Sequence, residues 1–451
     1  MNILIVGNGF DLSHYLPTKY DHFMVAMDVI ENWDEAKDDM GFDDLFGSLY
    51  EKEDYFFGYT KAMYKTDEIK ISVNEIKRLK EKLKGNVWYQ YFSDHVREVK
   101  TWIDFELKIE DALKSLCKFF KKIEENFNTS GVCDAAIHLL EIDRQQILGN
   151  YYISRLECEQ LFLLKLISKN PNYGQHKDFW TDEKFANINS KWFVSVEKSE
   201  YGFSQEKYLS FLLLELEKFS DLFNSYLELI INKLNLIQKI IISNKDWVQP
   251  DHIYSFNYTN TFQRIHELVD IEYLHGRHGE QQNIVLGISD LEDDTLKKLK
   301  AYGFTKYHQK LFKDTDYLFL DSYKEIIKES AYELSAYDSS QSDSPVKKSS
   351  QRKVWEKRGV LNLNFLIWGH SLDVSDKDYI IDLFSLNNDM DRNVRVTIFY
   401  FDKPAKFSLL NNLLAILGKD KVEQWMKNKW LEFKPNPEVK FEVDSNLEEA
   451  S

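Results

Sequence analysis

The opening stretch Asn2-Ile3-Leu4-Ile5-Val6-Gly7-Asn8-Gly9-Phe10-Asp11 constrains the fold more than any other part of the chain. The run Ile3 to Val6 is short and wholly apolar, so it reads as a strand buried on both faces, typical of a parallel sheet. It stops at Gly7-x-Gly9. Glycine tolerates positive φ and puts no Cβ between the backbone and a ligand. A Gly-rich turn at the carboxyl end of a first parallel strand is where open α/β sheets bind nucleotides. A helix starting near Asp11 would aim its free N–H groups at a phosphate. Leu12 stands where the third Gly of a full G-x-G-x-x-G would fall. The turn alone therefore also fits a tight strand-to-helix connection with no ligand.

Pro17, within Leu16-Pro17-Thr18-Lys19-Tyr20, interrupts any helix begun at Asp11. The expectation is a loop beside the glycine turn, able to close over a ligand, then a helix from about Asp21. From about 21 to 247 Pro and Gly are sparse, and charged residues alternate with Leu, Ile and Phe at helical spacing. This pattern predicts amphipathic helices over 69–84, 102–127, 135–148 and 153–167. It also predicts one long helix or a helical pair over 205–242, with loop or short strands over 171–201. The charges read as a solvated face.

Strand-like runs return at 252–259, 271–274, 284–287, 363–368 and 394–401, with helices over 261–269, most of 297–335, 376–386 and 406–417. The Ser-rich stretch 339–353 reads as a disordered loop. Alternating strands and helices imply a parallel sheet with helices on both faces. The expected fold is α/β, a Rossmann-type parallel sheet formed from both chain ends. One domain would comprise 1–24 plus 248–451. The span 25–247 would be a helical insertion, serving oligomerisation or regulation.

The chain has 451 residues, 43% of them hydrophobic, enough for two or three domains with sizeable cores. Its net charge of -16 disfavours a nucleic-acid partner, which is usually gripped by a basic patch. Cys117, Cys133 and Cys158 suggest neither a disulfide framework nor a zinc site. The N-terminus lacks the regions of a signal peptide, and no apolar stretch reaches the roughly 18 residues of a membrane span. A reducing cytoplasm is the expected setting.

Four separated segments share one design, an apolar strand ending in a small or polar cluster: Gly7-Asn8-Gly9, Phe256-Asn257-Tyr258-Thr259, Leu274-His275-Gly276 and Gly369-His370-Ser371-Leu372. In an open parallel sheet such ends line one edge, where ligands bind.

These residues resemble a known family. Gly7-Asn8-Gly9-Phe10-Asp11 with Leu16-Pro17-Thr18-x-Tyr20 is similar to the opening of the AbiH family of phage abortive-infection proteins. Trp102-x-Asp104-x-Glu106 and the last three clusters fit the same family. A more distant resemblance is to the sirtuin-like NAD-binding fold. Sirtuins share the order of a Gly-x-Gly turn, a Pro loop, an Asn segment, a catalytic His-Gly pair and a Gly-x-Ser-Leu segment. The departures are the lack of two Cys-x-x-Cys pairs, Tyr20 in place of an Arg, and Thr259 in place of an Asp. They argue against zinc-dependent deacetylation.

The resemblance implies a phage-defence effector that binds NAD and hydrolyses it to nicotinamide and ADP-ribose, with Asn257 and His275 catalytic. It implies cofactor contacts at Gly7, Asn8, Gly9, Phe10, Asp11, Pro17, Thr18, Tyr20, Thr259, Gly369, His370 and Ser371. NAD would be the substrate and no metal is expected. A homo-oligomer and a phage-derived trigger stay open as further partners.

Cleaving the N-glycosidic bond of NAD passes through an oxocarbenium-like state and releases a neutral ring. The protein must orient the ribose, hold one water and stabilise developing charge. The Asn257 amide both donates and accepts, suiting a water or ribose hydroxyl, or merely a strand-end turn. His275 has a side chain that titrates near neutrality, suiting a general base, or a hydrogen-bonded core histidine. His370 fits a ribose contact or a strand cap. Asp11 would repel a pyrophosphate and is expected to cap a helix or bind a ribose hydroxyl. Asp104 and Glu106 lie two positions apart and face different ways, so they are not expected to act as a pair. They read as exposed helix carboxylates or, where one reaches the crevice, as a group that stabilises the charged ribose. His266 and His278 show no metal-ligand spacing. The competing readings are a nucleotide sensor without turnover and, less compatible with the acidic charge, a nuclease.

Overall fold

The computed structural model describes residues 1–94, 102–130, 155–169, 186–195, 201–245, 247–266, 268–315, 318–325, 362–387 and 391–442. Its centre is a six-stranded sheet of β1 (Asn2–Val6), β2 (His252–Ser255), β3 (Ile271–Tyr273), β4 (Leu363–Trp368), β5 (Val394–Tyr400) and β6 (Leu431–Pro435). Every neighbouring pair is parallel. The spatial order is 3-2-1-4-5-6, the order of doubly wound sheets that bind dinucleotides at the point where the strand order reverses. Here the reversal falls between β1 and β4.

The first strand is thus central, and its continuous apolar run follows from having both faces covered. Ile3 and Ile5 pack with Phe365, Ile367, Leu383 and Trp425 on one side. Leu4 and Val6 pack with Phe10, Ile253, Phe262 and Trp368 on the other. Register is tight: Ile3 pairs with His252 on one flank and Phe365 on the other.

The glycine turn feeds α1 (Asn8–Ser13), which starts at Asn8, three residues earlier than expected. It ends before Pro17 acts, because Tyr15 takes a left-handed φ of 55°. The next helix, α2 (Tyr20–Asn32), begins one residue before the expected start. The middle of the chain contributes α3 (Trp102–Ser130) and α4 (Gln205–Leu229). Phe105, Phe219, Phe223 and Trp102 interleave between them and α2. The predicted helix over 69–84 is shorter, Val73–Gly85, because Ser72 caps it by accepting the Glu75 amide and Lys70–Ile71 forms a short strand. The predicted helix over 135–148 and the loop over 339–353 lie outside the described residues.

Three expectations are corrected. The span 205–242 is neither one helix nor a helical pair. After α4 comes the strand Ile240–Ser243, antiparallel to Glu438–Phe441, as three successive isoleucines prefer a pleated ladder. The span 153–167 holds the helix Arg155–Leu163, and Ile167 opens a strand instead. Residues 284–287 join no strand. The Gln309 side chain takes the place of a ladder partner: its Oε1 accepts the Leu286 N–H at 3.0 Å and its Nε2 donates to the Leu286 carbonyl at 2.7 Å. Downstream, the described part of the helix expected over most of 297–335 is broken into short pieces, among them α5 (Lys306–Phe312). The helices α6 (Lys377–Ser385) and α7 (Lys403–Leu417) fall where helices were expected.

Candidate functional site

The carboxyl ends of β1 and β4 meet directly. Gly9 N–H donates to the Gly369 carbonyl at 2.9 Å. A Cβ on Gly9 would lie 2.7 Å from Gly369 Cα, and one on Gly7 would lie 2.5 Å from His370 Cα. Gly369 itself holds φ at 75°, and a Cβ there would meet Phe10 N at 2.0 Å. These glycines are required by the contact of two loops. That constraint on Gly9 holds with or without a ligand beside it.

Beside that contact is a cavity of about 670 Å³, within the ordinary range for small-molecule sites. Gly7, Asn8, Asp11, Thr18, Tyr20, Asn257, Thr259, His275, Gly369, His370 and Ser371 line it, so the structure brings together most of the residues singled out from sequence. Three stand apart from the lining. Gly9 packs on Gly369, Phe10 is buried against Trp368, and Pro17 presents its carbonyl to the Tyr226 hydroxyl.

Asp11 reaches across from α1, and its Oδ2 accepts the Thr259 hydroxyl at 2.6 Å. Burial raises its carboxyl above the usual range, opposed by Thr259, Thr261, Arg264 and Asn257. It therefore faces the β2 turn rather than capping a helix. Asn257 follows the end of β2, where the Ser255 hydroxyl donates to its carbonyl and accepts its amide. The Asn257 Nδ2 completes no hydrogen bond among the described residues.

His275 lies just past β3, with Nε2 3.2 Å from Asp376 Oδ1 but off the line of a good hydrogen bond. Burial pulls its pKa down to about 3 against the attraction of Asp376, so the ring is neutral at physiological pH. Asp376 also meets His370 Nε2, at 3.5 Å from Oδ2. His370 Nδ1 accepts the Leu372 N–H at 2.9 Å, so its ring hydrogen is on Nε2 and faces Asp376. Phe256 lies against both imidazoles.

Glu106 overturns the expectation of an exposed helix carboxylate. It lines the cavity from α3, and its Oε1 meets Lys306 Nζ at 2.7 Å. Lys306 also meets Asp376 Oδ1 at 3.3 Å. The three side chains are 17%, 6% and 9% exposed for Glu106, Lys306 and Asp376. Burial works against the Asp376 anion, but Lys306, His275 and His370 outweigh it and hold that carboxyl well below its usual range. Burial, reinforced by Asp376 and opposed by Lys306, raises Glu106 to about 7. Trp102, one turn earlier on α3, donates to the Thr18 carbonyl at 3.2 Å and ties the Pro17 loop to that helix. Asp104 is half-exposed and is not part of the cavity lining.

Set beside known proteins, residues 3–400 match the family model described as bacteriophage abortive infection AbiH. This chain is a member of the AbiH family. No curated protein and no solved structure matches it. Its place in the AbiH family carries a role in phage abortive infection. Among the described residues no helix is long and apolar enough to cross a membrane, and no group of His, Cys, Asp or Glu side chains is arranged to hold a metal.

Two residues of this AbiH-family site escaped sequence reasoning. Lys306 and Asp376 each carry a charge that the fold buries. Asp376 stands out in the sequence only as the start of the helix expected over 376–386, and it does precede α6, without a side-chain cap bond.

Proposed function

We propose that the cavity binds NAD and hydrolyses it to nicotinamide and ADP-ribose in the course of abortive infection. The observation that carries this reading is where the cavity lies. It opens at the strand-order reversal of a 3-2-1-4-5-6 parallel sheet, the place where such sheets hold dinucleotides. Buried polar atoms that complete no well-formed hydrogen bond among the described residues surround it: Asp11 Oδ1, Thr18 Oγ1, Tyr20 OH, Glu106 Oε2, Asn257 Nδ2 and His275 Nε2. Buried polar groups are nearly always satisfied, so six orphans around one cavity favour a ligand rich in hydroxyls.

On this reading Asn257 holds a ribose hydroxyl or the attacking water. His275 accepts a hydrogen bond from a ribose hydroxyl, with Asp376 placed to stabilise any positive charge the ring acquires. The cluster of Glu106, Lys306 and Asp376 carries at most one net negative charge, which suits a cationic ribosyl centre. The leaving ring departs neutral and needs no acid. Incubating the purified protein with NAD and following free nicotinamide by chromatography tests the reading. Release that vanishes in Asn257→Ala supports it. Tight NAD binding without release would select the sensor instead, and absence of both would reject a nucleotide site of this kind.

A further inference from the structure

Two cavity carboxylates leave a buried oxygen without a hydrogen-bond partner among the described residues, Glu106 at Oε2 and Asp11 at Oδ1. Glu106 Oε1 faces Lys306 at 2.7 Å, while Oε2 is buried and completes no well-formed hydrogen bond among the described residues. The neighbouring Ser375 hydroxyl, which accepts from Lys306 at 3.3 Å, favours the carboxylate form of Glu106. By contrast, Asp376 is engaged on both oxygens, by Lys306 and His275 on Oδ1 and by His370 on Oδ2. Asp11 spends Oδ2 on Thr259, and Thr261, Arg264 and Asn257 act on the same carboxyl, which commits it to the β2 turn. His275 is turned toward Asp376. Glu106 also comes from α3, whereas Asn257 and His275 follow strands of the sheet, so it closes the cavity from the helical side.

We infer that Glu106 Oε2 is the general base that takes the proton of the attacking water, leaving His275 to the ribose. This rests on the hydrolytic reading above. In the step, a water O–H bond breaks and its proton passes to Glu106 Oε2. The water oxygen forms a bond to C1′ of the nicotinamide ribose. The C1′–N bond breaks, and its electron pair stays on the nicotinamide nitrogen, discharging the pyridinium. Glu106 then returns its proton to solvent, so NAD and water give ADP-ribose, nicotinamide and one proton. Lys306 fixes the carboxylate through Oε1 and keeps Oε2 free for this task. A carboxyl that burial has brought close to neutral pH is matched to accepting a proton there.

The test combines nicotinamide release, NAD affinity by calorimetry and an infrared titration of the protein alone. The full chain, Glu106→Gln and Glu106→Asp are compared, each with a melting curve. The expected result is a wild-type rate that rises with pH through about 7, a loss of roughly 10²–10⁴-fold in Glu106→Gln, and disappearance of that pH limb. NAD affinity should hold, Glu106→Asp should recover part of the rate, and azide, a nucleophile that needs no base, should restore cleavage to Glu106→Gln. A carboxyl band titrating near pH 7 in wild type and missing from Glu106→Gln is expected without any substrate. If wild type releases nicotinamide and Glu106→Gln keeps its rate and pH profile, this inference falls and the hydrolytic reading stands. If wild type neither binds nor cleaves NAD, or binds without cleaving, the hydrolytic reading falls and takes the inference with it.

Discussion

Lys306 Nζ lies 2.7 Å from Glu106 Oε1, joining α5 to α3 at the cavity wall. The ammonium is nearly sealed from solvent, and burial disfavours its charge, yet Asp376 and Glu106 hold its pKa above the ordinary lysine value. Removing one partner from a buried ion pair typically costs about 3–5 kcal/mol, because the remaining charge is stranded. Lys306→Met is therefore expected to lower the melting temperature sharply. Adding Glu106→Gln should recover part of the loss, since the introduced methionine then faces a neutral amide and one anion, Asp376, which keeps His275 and His370 beside it. Additive losses in the double variant would show that the two residues are not coupled.

The glycine contact makes a prediction about folding rather than binding. Gly369→Ala must hold φ at 75° and place its Cβ 2.0 Å from Phe10 N. We expect this variant, and Gly9→Val, to unfold at markedly lower temperature with or without nucleotide. A variant of either kind with wild-type melting but no NAD binding would show instead that the glycine makes space for a ligand.

Sequence made the strand ends legible because each is an apolar run broken by a small or polar residue, and the parallel sheet then lines those breaks up on one edge. Asn257, His275 and His370 were found this way. Lys306 follows Phe304-Thr305 and looks like any surface lysine, and only the partners brought to it by folding reveal its burial. Glu106 sits on a helix with charges on nearly every turn, so its orientation depends on Trp102 anchoring to Thr18. The strand Ile240–Ser243 was unreadable for a related reason: a short apolar run fits helix or strand equally, and its partner lies at Glu438–Phe441.

Three histidines with depressed pKa values predict acid sensitivity. His14 Nδ1 donates to the Phe10 carbonyl at 2.8 Å, so its Nε2 accepts from His266 Nε2, also at 2.8 Å. A proton added to His14 Nε2 would set two N–H groups against each other. Burial lowers His14 to about 3, His266 to about 4 and His275 to about 3. Unfolded histidine titrates near about 6.5, so the unfolded chain gains protons that the fold refuses. Their stabilising contribution is complete above that value and is lost as pH falls toward 4. Glu106, raised to about 7, and Asp11, raised by burial, act in the opposite direction over their own ranges, but two groups are set against three. Melting temperature should fall between pH 7 and pH 5, and a flat or rising profile would contradict this.

Within the hydrolytic reading, His275→Ala and Asn257→Ala should each reduce nicotinamide release by roughly 10²–10⁴-fold. Melting curves should stay close to wild type, because neither side chain makes a well-formed hydrogen bond through its orphan nitrogen. Full activity in both variants would place the chemistry elsewhere.

The central position of β1 has a consequence for synthesis. Its neighbours are β2 and β4, so the first strand made is flanked by partners that begin at His252 and Leu363. At about 5–20 residues per second, the Gly7 turn waits on the order of tens of seconds for the Gly369 turn that completes the cavity wall. A nascent chain, or one cut short before Leu363, has no closed pocket. The strand order thus withholds a finished site from the ribosome-bound protein until most of the chain has been translated.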